Sequence, residues 1–190
     1  MTVGLTPSQT VGPYFSMALA HPGENLLVGP DDDSRIRIEG FVYDGEGNHV
    51  EDALLEIWQA DAKGNYRHPD DAGPQAADGF RGFGRALSDF ETGRYFFETV
   101  KPGPVPDPEG EMQAPHIALV VQGRGILNPY FTRIYFADEA DANQHDLVLG
   151  MVPRDRRSTL IARPVENTTP PCYRFDIRLQ GEGETVFFDF

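Results

Sequence analysis

Cysteine is almost missing from this chain: Cys172 is the only one in 190 residues. No intrachain disulfide can form, and such usage suits a reducing, cytoplasmic compartment. Basic residues are also scarce, 16 against 30 acidic ones, for a net charge of -14 and a pI near 4.6. A surface of that sign repels phosphate backbones and anionic lipid, so nucleic acid and membranes are poor partners. No Lys or Arg precedes Arg35, which argues against a secretory leader, and no apolar run approaches the roughly 20 residues of a membrane span. Phosphate-binding loops, dinucleotide fingerprints, a Gly-x-Ser-x-Gly elbow, internal repeats and low-complexity tracts are absent as well.

Turn residues are abundant instead. The 20 glycines and 16 prolines exceed the usual share of roughly 12% and favour a fold of many short strands. The first 34 residues, broken by Pro7, Gly12, Pro13, Pro22, Gly23 and Pro30, read as an irregular arm that gains order by packing either on its own body or on a partner chain. Alternation predicts strands over 35–43, 53–59, 94–100, 115–122, 131–136, 158–163 and 173–180, and a last one with Val186, Phe188 and Phe190 on one face. About two dozen residues after Gln59 read as a functional loop, and Asp138 as the cap of one helix over 139–150. The expected fold is all-β, a single domain over 1–190 built as an antiparallel β-sandwich with one short helix.

Few residues carry a chemical signal. Strand residues i and i+2 share a face, so a His-x-His strand presents two imidazoles to one metal. Here His116 is present, but Ala118 stands at the second place. Tyr66 in a Gly-rich loop is a donor type suited to ferric iron, and His68 follows two residues later. Each has a plainer reading as a packing or hydrogen-bonding residue. His21, His49 and His145 show no partner spacing and read as surface residues, and Cys172 reads as a buried structural thiol. Arg124, flanked by Gly123 and Gly125 at a strand end, is either an ordinary turn residue or a contact for an anionic ligand.

Taken together, Thr6-Pro7-Ser8-Gln9-Thr10-Val11-Gly12-Pro13-Tyr14, Leu55-Glu56-Ile57-Trp58-Gln59-Ala60-Asp61, Thr99-Val100-Lys101-Pro102-Gly103, Ala114-Pro115-His116-Ile117, Tyr173-Arg174-Phe175-Asp176-Ile177-Arg178 and the tail from Gln180 resemble the intradiol ring-cleaving dioxygenases. Within that family the likeness is to the α-type chains of its two-chain members. The resemblance implies a β-sandwich in which two tyrosines and two histidines hold a non-haem ferric ion. Those four places fall on Tyr66, Val105, His116 and Ala118, so two donors are replaced by hydrocarbon side chains. It therefore implies that this chain binds no metal and carries no catalytic residue. The Fe(III) would belong to a homologous β chain, in a larger oligomer of αβ units. Thr10, Gly12, Pro13, Tyr14 and Arg124 would contribute to a substrate pocket where the chains meet. The implied reaction opens 3,4-dihydroxybenzoate (protocatechuate) with O2 to 3-carboxy-cis,cis-muconate in aromatic catabolism. Two other readings stand beside it: a homomeric intradiol dioxygenase with an altered iron site, and a non-enzymatic β-sandwich binding module.

Overall fold

The computed structural model describes residues 4–69 and 73–189. Period-two burial sets the central strands. In β1 (Arg35–Tyr43) Ile36, Ile38 and Val42 face inward between half-buried polar neighbours, and in β4 (Arg94–Val100) Tyr95 and Phe97 do the same. The chain continues through β2 (Leu54–Trp58), β3 (Phe83–Leu87), β5 (Val105–Pro106), β6 (Met112–Gln113), β7 (His116–Gln122), β8 (Tyr130–Phe136), β9 (Ile161–Val165), β10 (Cys172–Arg174) and β11 (Ile177–Arg178). The main sheet runs β3-β2-β7-β8-β9-β10-β1, with β4 on the far edge of β1 and β5-β6 as a separate ribbon. Its two halves face each other across one apolar core that includes Ile38, Leu55, Phe97, Leu119, Ile134 and Ile177. A second cluster of Ala114, Tyr135, Leu149, Val152 and Leu160 lies on the other face of β8.

The sandwich is as expected, although three of its pairings (β1 with β10, β1 with β11, β8 with β9) are parallel. Other expectations change. β3 has no strand signal in Phe-Gly-Arg-Ala-Leu; it forms because β2 pairs with it and because Gly84 leaves room for Leu27. A Cβ at Gly84 would stand 2.4 Å from Leu27 Cδ1. The arm is not wholly irregular, since Phe15–Leu19 forms a short helix, α1. Nor is it wholly free for a partner. Asn25 and Leu27 bond to both sides of Glu98 in β4, while Glu24 O and Leu27 O accept from Arg85 N and Arg81 N beside β3. The segment thus seals the gap between two sheet edges that would otherwise be open to aggregation.

The single expected helix is two, α2 (Ala140–His145) and α3 (Leu147–Met151), divided at Asp146. Asp146 caps α3 through Leu149 N and also accepts from Ala114 N, a geometry that a continuous helix would not permit. Asp138 caps nothing and instead receives Lys101 Nζ and Tyr173 Oη. The strand expected at 158 begins only at Ile161, after a 3-10 turn over Arg157–Leu160. Val186 and Phe188 pack on the second cluster without forming a strand beyond the bridge from Phe188 to Phe131; Phe190 lies outside the described residues.

Candidate functional site

One carboxylate ties together both ends of the long loop after β2. Asp61, buried at 3% exposure, accepts from Lys63 N and Asn65 N through Oδ1 and from Ala77 N through Oδ2. Burial pushes its carboxyl up, but the amides of Asn65, Ala77 and Lys63 outweigh this and hold it below the usual value. Asp61 O also accepts from Gly64 N and Gly103 N, tying the loop to the proline-rich crossing. Contact there is tight: a Cβ on Gly64, whose φ is +83°, would stand 2.3 Å from Pro104 O, and one on Gly103 would stand 2.6 Å from Gly64 N. These constraints bring Tyr66 and Val105 onto one cavity of about 330 Å³, lined also by Gly64, Asn65, Gly73, Pro74 and Pro106. The Tyr66 ring stacks parallel on Trp58 at 6.0 Å, and His68 meets the same indole edge-on.

His116 and Ala118 sit on the outward face of β7, since Ile117, Leu119 and Val121 occupy the core face. Trp58, Ala118 and Arg133 form one row across β2, β7 and β8, with His116 opposite Tyr135 in the adjacent row. His116 Nδ1 lies 2.8 Å from Ala114 O, so it carries the proton and donates, leaving Nε2 as the lone-pair nitrogen. Desolvation first, and the Arg133 charge second, lower its pKa to about 4. Tyr66 and Val105 share one cavity, and Trp58, stacked on Tyr66, lies opposite Ala118; of the four places only Tyr66 and His116 offer donors. Val105 and Ala118 offer hydrocarbon, and Arg133 brings positive charge beside them. A ferric ion, which takes hard anionic and imidazole donors in number, does not fit this set.

The His116 shift predicts a pH response. The folded pKa lies below the ordinary 6.5, so between pH 6.5 and about 4 the unfolded chain takes up the proton first. Stability falls with pH across that window, by roughly 3 kcal/mol at most. His116→Asn, which can keep the bond to Ala114 O, should flatten the urea midpoint against pH there; an unchanged slope would assign the effect elsewhere.

A second locus lies at the other end of β7. Thr10 Oγ1 donates to Gly123 O at 3.3 Å and accepts from Gly125 N at 2.9 Å, so the arm is pinned to the turn that carries Arg124. Arg124 pairs with Asp52 yet keeps 60% of its side chain exposed. Gly12, at φ +76°, bends the arm beside it, Pro13 and Tyr14 are exposed, and Phe15 is buried. From Thr10 the arm runs to Leu19 O, which accepts from Arg85 on β3. Six residues separate Ala118 from Arg124, roughly 20 Å along an extended strand. The two loci are therefore distinct on this chain. Sequence reading missed Asp52, Gln113 and Arg133, because each matters only through partners distant in the chain, and it missed Asp61, whose bonds to Lys63 N and Asn65 N are local but whose bond to Ala77 N is not.

The remaining candidates behave as surface or packing residues. His21, His49 and His145 are exposed, with His49 stacked on Phe41 and His145 Nδ1 against Asp141 O. Cys172 is buried, and burial raises its thiol pKa. No group of three or more His, Cys, Asp or Glu suited to a metal occurs among the described residues.

A family model described as "Dioxygenase" matches residues 10–181. The α chain of protocatechuate 3,4-dioxygenase from Pseudomonas putida is 46% identical, over 97% of this chain and 96% of that one. The β chain of the same enzyme type from Burkholderia cepacia is 34% identical, over 80% of this chain and 66% of that one. Among solved structures, the dioxygenase domain of a dioxygenase–carbohydrate-binding fusion from Streptomyces sp. SirexAA-E is 25% identical with a TM-score of 0.63, covering 93% and 98% of the two chains.

Proposed function

This chain belongs to the intradiol dioxygenase family, and from that premise we propose that it is the iron-free α-type subunit of a protocatechuate 3,4-dioxygenase. Its partner is a homologous β chain that holds the Fe(III), in an oligomer of αβ units, and the substrates are 3,4-dihydroxybenzoate and O2. The product is 3-carboxy-cis,cis-muconate, which contains every atom of both substrates. The carrying observation is the separation of the two loci. The Thr10–Arg124 locus stands roughly 20 Å along β7 from Ala118, too far to serve a site at Tyr66 and His116. It suits a pocket completed by another chain.

When bound to the partner, the ferric ion supplies Lewis acidity toward the catechol oxygens. This chain supplies shape and charge. Gly12 and Pro13 give a flat backbone wall for an aromatic ring, Thr10 fixes that wall to the Gly123–Gly125 turn, and Tyr14 extends it. Arg124, exchanging Asp52 for a ligand carboxylate, orients the ring. Tyr66, Val105, His116 and Ala118 are the remnant of a donor set, retained for packing. Expressed alone, the full chain should be colourless and inactive. Co-expressed with a homologous His-x-His chain, it should yield a coloured complex that consumes O2 with protocatechuate. Colour and activity in the lone chain would favour the homomeric reading, and no stable complex would favour the binding module.

Arg124→Ala in the complex should raise KM for protocatechuate by roughly 10- to 100-fold, the worth of one charge-assisted hydrogen bond. The KM for catechol, which lacks the carboxylate, should move less than about threefold. Equal shifts on both substrates would remove the carboxylate role.

A further inference from the structure

Positions 105 and 118 are joined through their strand neighbours. Val105 lies opposite Gln113 in the β5-β6 ribbon, and Ala118 lies opposite Arg133 in the β7-β8 pair. Arg133 Nη1 donates to Gln113 Oε1 at 2.9 Å and reaches Tyr135 Oη at 3.5 Å. Directly opposed residues of an antiparallel pair hold their Cβ atoms about 5 Å apart on one face. The guanidinium therefore spans the ground between the Ala118 and Val105 side chains. It is half-buried, and among the described residues no carboxylate pairs with it. A guanidinium does not give up its proton in a folded protein.

We infer that Arg133, aimed by Gln113, is a barrier to metal binding separate from the missing donors, so that restoring tyrosine and histidine side chains alone does not restore an iron site. The inference rests on the reading of Val105 and Ala118 as former donor positions. An imidazole extending from position 118 meets the guanidinium across the strand pair, and a trivalent ion placed there meets a fixed positive charge in a half-buried setting. The barrier is both steric and electrostatic. Loss of donors explains weak binding, whereas Arg133 explains why binding does not return when they do.

Three variants of the full chain test this: V105Y/A118H, the same pair with R133M, and the same pair with R133K. Each is loaded with ferric nitrilotriacetate and desalted, and iron content and the visible spectrum are then measured. The expected result is near one iron per chain, with the broad visible absorption of an Fe(III)–phenolate, for the R133M combination alone. The other two should retain less than about a tenth of that. If V105Y/A118H binds as much iron as the R133M combination, the barrier is refuted and the donor reading stands. If the R133K combination binds equally well, the electrostatic barrier is refuted. Should none bind although all melt cooperatively near the parent temperature, both the barrier and the donor reading under it fall. R133Q, which can still donate to Gln113, replaces R133M if that variant does not fold.

Discussion

Gly40→Ala is expected to remove a large part of this chain's stability. A Cβ at position 40 would stand 1.8 Å from Phe175 O and 2.6 Å from its carbonyl carbon, so backbone rather than a movable side chain must yield. That carbonyl is fixed. It accepts from the Tyr95 hydroxyl at 2.6 Å, Phe175 N donates to Glu39 O at 2.9 Å, and Phe175 itself is 2% exposed in the main core. Moving it by the ångström or more that the methyl requires disrupts these bonds at about 1 kcal/mol each and adds overpacking strain of roughly 1–3 kcal/mol. The sum, about 4 kcal/mol, is a large part of the roughly 5–15 kcal/mol available to a domain. Thermal and urea melts should show the loss. Gly29→Ala, where nothing lies within 4 Å of the added Cβ, should be nearly neutral. Similar melting of the two variants would contradict the crossing at Gly40.

The second large effect is expected at Asp61. Asp61→Ala leaves the amides of Lys63, Asn65 and Ala77 without their acceptor and should destabilise the fold by about 3 kcal/mol or more, since bonds to a charged acceptor are each worth about 1.5–3 kcal/mol. The damage should centre on the loop carrying Tyr66, read as faster hydrogen exchange at Asn65 and Ala77 than at the core amides of β1 and β4. The charge itself has a pH signature. Because the folded carboxyl lies below its ordinary 3.8, its contribution is complete above that value and is lost as pH falls through the depressed one. Asp61→Asn should therefore weaken the acid-limb loss of stability below about pH 4. Uniform exchange across loop and core would show that Asp61 is not the local tether.

The strands that a reader of the sequence finds are those whose alternation faces one core throughout. β1 and β4 begin and end at the expected residues because their inward residues alternate along the strand and pack in the main core. The stretch from Tyr173 alternates just as well, and Tyr173, Phe175 and Ile177 do point inward. It nevertheless divides into β10 and β11, because Phe175 and Asp176 must cross over Gly40 while β1 continues beneath. β3 shows the converse case: a segment without strand propensity is made a strand by β2 on one edge and by the arm against the other.

By itself the sequence determined the β-rich class, the acidic surface, the single thiol, and the fact that Val105 and Ala118 cannot donate to a metal. These follow from composition, from a period of two residues and from side-chain chemistry, all of which are local. Tertiary structure alone decided what those facts mean together. It set Gln113 against Val105 and Arg133 against Ala118, then joined them by one hydrogen bond. It also brought Thr10 to Gly125 across 115 residues of chain, and placed Arg124 at the opposite end of β7 from His116. The physical reason is that strand register and loop crossings are fixed by burial and hydrogen bonding between distant segments, for which no local pattern in the chain exists.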